Sequence, residues 1–247
     1  MRHVVLWDID GTLLTTARAG VFALEEALHA VCGLEADLAA LQTSGLTDFE
    51  VAELAIETAR GAPAAEAEVN AFLRAYETRL PACLPRRKGA VLPQVKGVLG
   101  ALADRGDVLS LLLTGNTEAG ARAKLEHYGL DGCFDGGAFC RGGQGRETIA
   151  RHAMEIVEGL CDKSRPDSAN VRPTRQVLVI GDTPHDLRAA RAIGARTILL
   201  ATGTHSLSEL RSLHPWRAFE QLPPPAPFLE LIDSLGRDAS IAESASA

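Results

Sequence analysis

The sequence predicts an α/β fold in which a parallel β-sheet carries helices on both faces. Short, continuously apolar runs at residues 4–7, 108–113 and 177–180 are typical of strands that are buried on both sides. After residue 93, such runs alternate with segments whose apolar residues recur at three- and four-residue spacing, which indicates helices. Because alternating strands and helices connect through right-handed crossovers, we expect a parallel, Rossmann-like sheet.

The first predicted strand, residues 3–8, is followed by a long segment that is expected to be helical. Apolar periodicity predicts helices at residues 21–33, 47–59 and 63–79. Thr47, with Glu50 three residues later, forms the pattern of a capping box at the start of the second helix. Prolines and glycine after residue 80 break the helical pattern, and no strand is expected between residues 15 and 90.

The rest of the chain is predicted to alternate between helices and strands. Predicted helices cover residues 95–106, 118–128, 146–160 and 185–193, and predicted strands cover residues 108–113, 133–139, 177–180 and 197–200. We therefore expect a discontinuous α/β core of residues 1–15 and 88–247, with an all-helical insert of residues 16–87. The prolines at 223–225 are predicted to form a linker, and the Ser/Ala-rich end after residue 241 a frayed tail.

Composition and charge exclude several classes of protein. The 247 residues include 32 acidic and 25 basic side chains and only 4% aromatic residues, so we expect no nucleic-acid partner. The five cysteines lack CxxC spacing and predict neither a disulfide framework nor a zinc site, which fits a cytoplasmic protein. Since the sequence shows no signal peptide and no apolar run of about 18 residues, no membrane partner is expected.

Polar and acidic side chains follow three of the apolar runs. The first run is followed by Asp8 and Asp10, the second by Thr114, Gly115 and Asn116, and the third by Asp182 and Asp186. Because the carboxyl ends of neighbouring parallel strands meet at one edge, we expect these side chains to lie together. Carboxylates at such short distances repel each other unless they bind protons or a cation. A set of oxygen ligands without His or Cys favours Mg²⁺.

Three motifs carry a resemblance to a known family. DIDGT at residues 8–12, TGN at 114–116 and GDTPHD at 181–186 occur in this order, each at the end of a predicted strand. Together they resemble the signature motifs of the haloacid dehalogenase-like hydrolase superfamily, and within it the chain is most similar to phosphoglycolate phosphatase-like enzymes. The helical insert resembles that superfamily's cap domain. The resemblance implies a Mg²⁺-dependent phosphatase that hydrolyses a small phosphorylated metabolite through an aspartyl-phosphate.

The resemblance also assigns roles to the matching residues. Asp8 corresponds to the nucleophile, and Asp10 to the general acid and base. Asp8, Asp10 through its backbone carbonyl, and Asp182 would hold the metal. Asp186 would either orient the ligand Asp182 or hold a metal-bound water, with capping of the following helix as an equally open interpretation. Phosphate binding is assigned to Ile9, whose side chain should point into the core, and to Asp10, Thr114, Gly115, Asn116 and Arg146.

The sequence departs from the family pattern at two positions. The family places a cation, usually Lys, between the second and third motifs, and here Arg146 is the best candidate, with Arg141 and Arg151 as alternatives. Resembling enzymes often carry Arg in the insert at the place of Leu46. Its absence argues against a doubly charged substrate such as phosphoglycolate.

Other functions stay open at this point. A phosphomutase of the β-phosphoglucomutase type would share the nucleophile, the acid and the metal. A dehalogenase would not need Asp10, and a non-catalytic phosphate-binding regulatory protein would be expected to lack Asp8 or Asp10. The sequence is compatible with either a monomer or a homodimer.

Overall fold

A computed structural model describes residues 3–163 and 175–235 of the chain. Its strands are β1 (His3–Trp7), β2 (Leu14–Thr15), β3 (Ala90–Val91), β4 (Val108–Leu113), β5 (Gly137–Ala138), β6 (Gln176–Gly181), β7 (Arg196–Leu200) and β8 (Arg217–Phe219). Six of them form one sheet in the order β5-β4-β1-β6-β7-β8, and every pairing in it is parallel. The predicted parallel α/β fold is confirmed.

Of the described helices, the first seven lie close to their predicted positions, with one clear difference in the insert, and the last two are not predicted by the sequence. They are α1 (Gly20–Cys32), α2 (Asp48–Arg60), α3 (Glu66–Cys83), α4 (Val95–Ala103), α5 (Glu118–Tyr128), α6 (Arg146–Lys163), α7 (Pro184–Ala192), α8 (Leu207–Ser212) and α9 (Pro225–Ser234). α3 starts at Glu66 rather than at residue 63, and it continues through Pro81, which the sequence suggested as its end. Leu80 and Cys83 are fully buried, so tertiary packing holds the last turn despite the proline.

Strand β1 lies in the middle of the sheet and is buried on both faces. Val4 and Leu6 pack on one side with α6, α7 and the helical insert, whereas Val5 and Trp7 pack on the other side with α4, α5 and α9. Trp7 donates from Nε1 to Ser110 Oγ at 2.9 Å and stacks on Phe228 with 5.8 Å between ring centroids. Because β1 is anchored in this way, the residues that follow Trp7 start from a fixed point.

The helical insert leaves and rejoins the rest of the chain through a short antiparallel strand pair. Leu14 pairs with Val91 and Thr15 with Ala90, so β2 and β3 stand at the two ends of the insert. The expectation of no strand between residues 15 and 90 is therefore wrong at its two limits. Two-residue strands carry no detectable periodicity, and their pairing joins residues far apart in sequence. The division into core and cap domains stays a prediction.

The C-terminal part of the described chain adds to the sheet and to its helical layer. β8 pairs with β7, and α9 packs Phe228 and Ile232 into the core beside Trp7. The predicted linker at residues 223–225 instead leads directly into α9: Pro224 is the N-cap and Pro225 the first helical residue, where a proline costs no hydrogen bond. The predicted tail after residue 241 lies outside the described residues. Within the described residues, no helix is both long and apolar enough to cross a membrane.

Candidate active site

Three adjacent strands bring the motifs to one edge of the sheet. β4, β1 and β6 are neighbours, with Trp7 paired to both Leu112 and Ile180. The backbone N–H of Asp8 extends the ladder with a 2.9 Å hydrogen bond to Ile180 O. The structure therefore brings together the three groups of polar residues that follow these strands.

In the turn after β1, the side chain of Ile9 points into the core, between Asp8 and Asp10. Ile9 is fully buried, and its carbonyl accepts hydrogen bonds from the N–H groups of Leu13 and Leu14. Gly11 has a φ of +80°, and a Cβ atom there would overlap the carboxylate of Asp182. This turn needs glycine both for its conformation and for the close approach of β6.

Three buried carboxylates form a cluster at this edge. Each of Asp8, Asp182 and Asp186 offers an oxygen within 4.8 Å of the others. A cluster made only of buried oxygen donors fits a hard divalent cation. The carboxylate of Asp10 is not part of the cluster, since it faces Asn116 and Lys124, so only its backbone carbonyl stays available for the metal role.

Burial and mutual repulsion raise the pKa values in this cluster. Burial raises the pKa of Asp8 to about 7, with contributions from Asp186 and Asp10, while the Arg146 guanidinium opposes the shift. The pKa of Asp182 is raised further, to about 9, by burial and by the charges of Asp186 and Asp8. Without a cation, the carboxyl group of Asp182 is therefore mostly protonated at neutral pH, and that of Asp8 is partly protonated.

Asp186 combines a capping role with a place in the cluster. Its Oδ2 accepts from Thr183 N at 3.0 Å and from Thr183 Oγ1 at 2.7 Å, which completes a capping box at the start of α7. Its Oδ1 accepts from Arg146 Nη2. Asp186 thus takes part in capping α7 as the partner of Thr183, and both of its oxygens accept hydrogen bonds. Its role in orienting a metal ligand stays a prediction.

Arg146 is the cation that the structure brings to the cluster. It is the first residue of α6, is only 5% exposed, and donates from Nη1 to Asp8 Oδ1 at 3.2 Å. Its Nε is buried without a partner among the described residues. Arg151 is exposed on α6, and Arg141 is exposed beside a separate groove. Of the three arginines considered, Arg146 alone contacts the carboxylates.

The second motif lies against both Asp10 and Arg146. Thr114 is fully buried, and its Oγ1 accepts from Asn116 N at 3.2 Å. Asn116 donates from Nδ2 to Asp10 Oδ2 at 3.0 Å. A Cβ atom at Gly115 would lie 3.1 Å from Arg146 Nη1 and 2.9 Å from Leu46 O, so glycine allows the arginine and the insert to approach this loop. The N–H of Asn116, expected to face phosphate, is bonded to Thr114 here.

Lys124 is a site residue that the sequence analysis missed. Its Nζ donates to Asp10 Oδ2 at 2.5 Å and to Asn116 Oδ1 at 2.7 Å. The signal for it is present in the sequence: Lys124 lies on the same helical face as Ala121 and Leu125, which are buried. A lysine on a buried apolar face requires a partner with negative charge.

Asp48, the first residue of α2, was missed as well. Its N–H donates to Gly115 O at 2.7 Å, and its Oδ2 accepts from Thr117 N, also at 2.7 Å. Burial raises the pKa of Asp48 to about 6, although the charge of Lys124 opposes the shift. Asp48 therefore fastens the helical insert to the loop that carries the second motif. A cavity of about 360 Å³ lies between the insert and the carboxylates.

Comparison with known proteins decides the family. The model of the haloacid dehalogenase-like hydrolases matches residues 5–191. The chain belongs to this family. The match takes in all three motifs and Arg146, and it confirms the resemblance drawn from the sequence.

Individual relatives of this haloacid dehalogenase-like hydrolase cover most of its length. It is 30% identical over 219 residues to "Probable phosphatase IndB" of Dickeya dadantii, covering 87% of this chain and 88% of the relative. It is 28% identical over 253 residues to the phosphoglycolate phosphatase of Rhodospirillum rubrum, covering 96% and 92%. CbbY from Rhodobacter sphaeroides, solved in complex with phosphate, has the same fold, with a TM-score of 0.65, 19% identity and coverage of 90% and 95%.

The raised pKa values predict how a cation will affect stability. In the native state without metal, Asp8 and Asp182 bind protons more tightly than in the unfolded chain, so the stability they contribute is lost as pH rises from about 4 towards about 9. A cation bound at the cluster would replace those protons. We expect Mg²⁺ to raise the Tm more at about pH 8.5 than at about pH 5.5.

Thermal unfolding with and without Mg²⁺ at both pH values measures this difference. Asp104→Asn, at an exposed position at the end of α4, is the matched control and should behave like the wild type. Asp182→Asn should lose the Mg²⁺ effect. A Mg²⁺-induced rise in Tm that is the same at both pH values would contradict the assignment.

Gly203 predicts a second, steric test of the cation site. A Cβ atom at Gly203 would overlap the Asp182 carboxylate. Gly203→Ala should therefore push this carboxylate aside and weaken Mg²⁺ binding by about tenfold or more, as measured by calorimetry. Gly159→Ala, where the Cβ meets nothing within 4 Å, is the control. Equal Mg²⁺ affinity in the two variants would show that Asp182 does not bind the ion.

Proposed function

We propose that this protein is a Mg²⁺-dependent phosphatase that hydrolyses a small phosphomonoester through an aspartyl-phosphate on Asp8. The observation that carries the proposal is the environment of Asp8. Its carboxylate lies between a cluster of buried acids and the guanidinium of Arg146. A nucleophile between a cation site and an arginine is placed to receive a phosphoryl group whose charge both can neutralise.

The metal site follows from the same cluster. Asp8, Asp182 and the backbone carbonyl of Asp10 would hold Mg²⁺, and Asp186 would hold Arg146 in place beside the cluster. When bound, the ion neutralises charge on the phosphoryl oxygens and keeps the carboxylates ionised. Arg146, which lines the cavity, would contribute N–H donors to the phosphoryl oxygens.

The reaction divides into two displacements at phosphorus. An oxygen of Asp8 bonds to phosphorus while the bond to the leaving oxygen breaks, and Asp10 gives that oxygen a proton. Asp10 then takes a proton from water as the water oxygen bonds to phosphorus. This step releases phosphate and restores the Asp8 carboxylate. Thr114 and the backbone around Gly115 hold the phosphoryl oxygens in both steps.

Three other candidate functions would use a site of this kind differently. A phosphomutase of the β-phosphoglucomutase type would return the phosphoryl group from Asp8 to a sugar rather than to water. No particular contact in the cavity favours that outcome. The presence of both Asp8 and Asp10 argues against a dehalogenase and against a non-catalytic phosphate-binding regulatory protein, and the phosphatase names of the relatives agree with this.

The cavity indicates which alcohol the phosphate would be attached to. Its lining from the insert combines apolar side chains with uncharged polar ones and one acid, Asp48: the apolar ones are Val21, Leu24, Leu46 and Val51, and the polar ones are Thr16, Gln42, Thr43, Ser44 and Tyr76. The cations that line it are already bonded: Arg18 donates from Nη2 to Ala39 O at 2.7 Å and to Leu41 O at 3.1 Å, while Lys124 and Arg146 bind carboxylates. We infer that the leaving alcohol is uncharged, because a carboxylate would face Asp48, and because Lys124 and Arg146 are already paired with carboxylates.

The nucleophile is tested by p-nitrophenyl phosphate hydrolysis. We expect activity with Mg²⁺, none with EDTA, and a loss of at least about a hundredfold in Asp8→Asn. Asp104→Asn again serves as the matched control and should keep full activity. Wild-type activity in Asp8→Asn would refute the assigned nucleophile. Transfer of phosphate to glucose 1-phosphate without net release would favour the mutase.

The substrate class is tested with two compounds that differ at one group. 2-Phosphoglycolate and 2-hydroxyethyl phosphate have the same length, but only the first carries a carboxylate on the leaving alcohol. We expect kcat/KM to be about tenfold or more higher for 2-hydroxyethyl phosphate. Leu46→Arg should raise kcat/KM for 2-phosphoglycolate, whereas Leu46→Gln should not. A wild-type preference for 2-phosphoglycolate would contradict the inferred class.

A further inference from the structure

Lys124 holds one particular oxygen of Asp10. Lys124 Nζ and Asn116 Nδ2 both donate to Asp10 Oδ2, at 2.5 Å and 3.0 Å. Lys124 also donates to Asn116 Oδ1 at 2.7 Å, which closes a triangle of three side chains. Within the described residues, both hydrogen bonds to the Asp10 carboxylate end on Oδ2. The Asp10 side chain is 42% exposed, so the carboxyl group is held at one oxygen and open at the other.

We propose that Lys124 is a positioning residue that fixes Asp10 so that Oδ1 is the oxygen that exchanges the proton. The inference rests on the proposed phosphatase function and deepens it. An oxygen that accepts two N–H donors has no room for a third partner in the same direction. The proton given to the leaving oxygen therefore comes from Oδ1, and the proton removed from water returns to Oδ1.

The surroundings keep Lys124 in this place. It lies on the buried face of α5 and is 6% exposed. Thr117 caps α5 by accepting from Gly120 N at 3.2 Å, and Asp48 of the insert holds Thr117 N at 2.7 Å. The start of the helix is therefore fixed from both sides. Asp48 and Tyr76 of the insert and Asp10 of the core are the charged and titratable groups whose fields act most strongly on Lys124.

This arrangement has a consequence that depends on the leaving group. An alkoxide must receive a proton as it leaves, whereas p-nitrophenolate leaves readily without one. A misplaced Asp10 should therefore harm alkyl phosphates and spare p-nitrophenyl phosphate. kcat/KM covers the steps up to formation of the phosphoenzyme, so it reports this difference without the later attack by water.

The experiment compares kcat/KM for 2-hydroxyethyl phosphate and p-nitrophenyl phosphate in Lys124→Met. We expect the alkyl phosphate to lose at least about thirtyfold and the aryl phosphate no more than about threefold, since general acid catalysis contributes about a hundredfold or more. Lys124→Arg keeps a donor near Oδ2 and should recover much of the ratio. Arg122→Met, on the exposed side of the same helix, is the matched control and should not change it.

Each result decides between the alternatives. Equal losses with both substrates would show that Lys124 only supports the structure, and unchanged rates with both would show that it does not position Asp10. If Lys124→Met does not fold, Lys124→Leu, which also removes the donor, replaces it in the same comparison. If the wild type hydrolyses neither substrate, the proposed phosphatase function fails. If it hydrolyses both and the ratio stays unchanged, only the role of Lys124 fails.

Discussion

The repulsion between carboxylates at the ends of adjacent parallel strands is the constraint on which this site depends. Because the sheet order places β4, β1 and β6 side by side, the acidic residues that follow β1 and β6 must lie close together. Burial makes the charges of Asp8 and Asp182 more costly still, which raises the pKa of both groups. Arg146 offsets part of this cost through Asp8 and Asp186, and a bound cation would offset the rest.

Small residues make this crowding sterically possible. Glycine at positions 11 and 203 leaves room for the Asp182 carboxylate, and glycine at 115 leaves room for Arg146 and for the insert. The helical insert then contributes Asp48, whose hydrogen bonds to the second motif join it to the sheet edge. Charge, backbone conformation and packing thus converge on one cavity, in which the walls from the insert combine apolar and polar side chains.

The sequence predicts those parts of the molecule that depend on local patterns. Apolar runs identify the strands of the sheet except β8, and the polar residues after them identify the edge where Asp8, Thr114 and Asp182 meet. Features that depend on distant contacts could not be predicted in this way: the β2–β3 pair, and the course of α3 through Pro81. The helical pattern places Lys124 on a buried face, but it does not identify its partner, because Asp10 lies 114 residues away in the sequence. The cytoplasmic location and the oligomeric state stay predictions.

The most direct measurement of the proposed cation site is the number of protons released when Mg²⁺ is titrated into the protein. Calorimetric titrations near pH 7, in buffers that differ in ionisation enthalpy, report this number. Because the pKa of Asp182 is about 9 and that of Asp8 about 7, binding should release on the order of one proton per ion, and Asp182→Asn should bind Mg²⁺ poorly. Binding without proton release, or binding unaffected by that substitution, would contradict the view that the cation relieves the crowding of these acids.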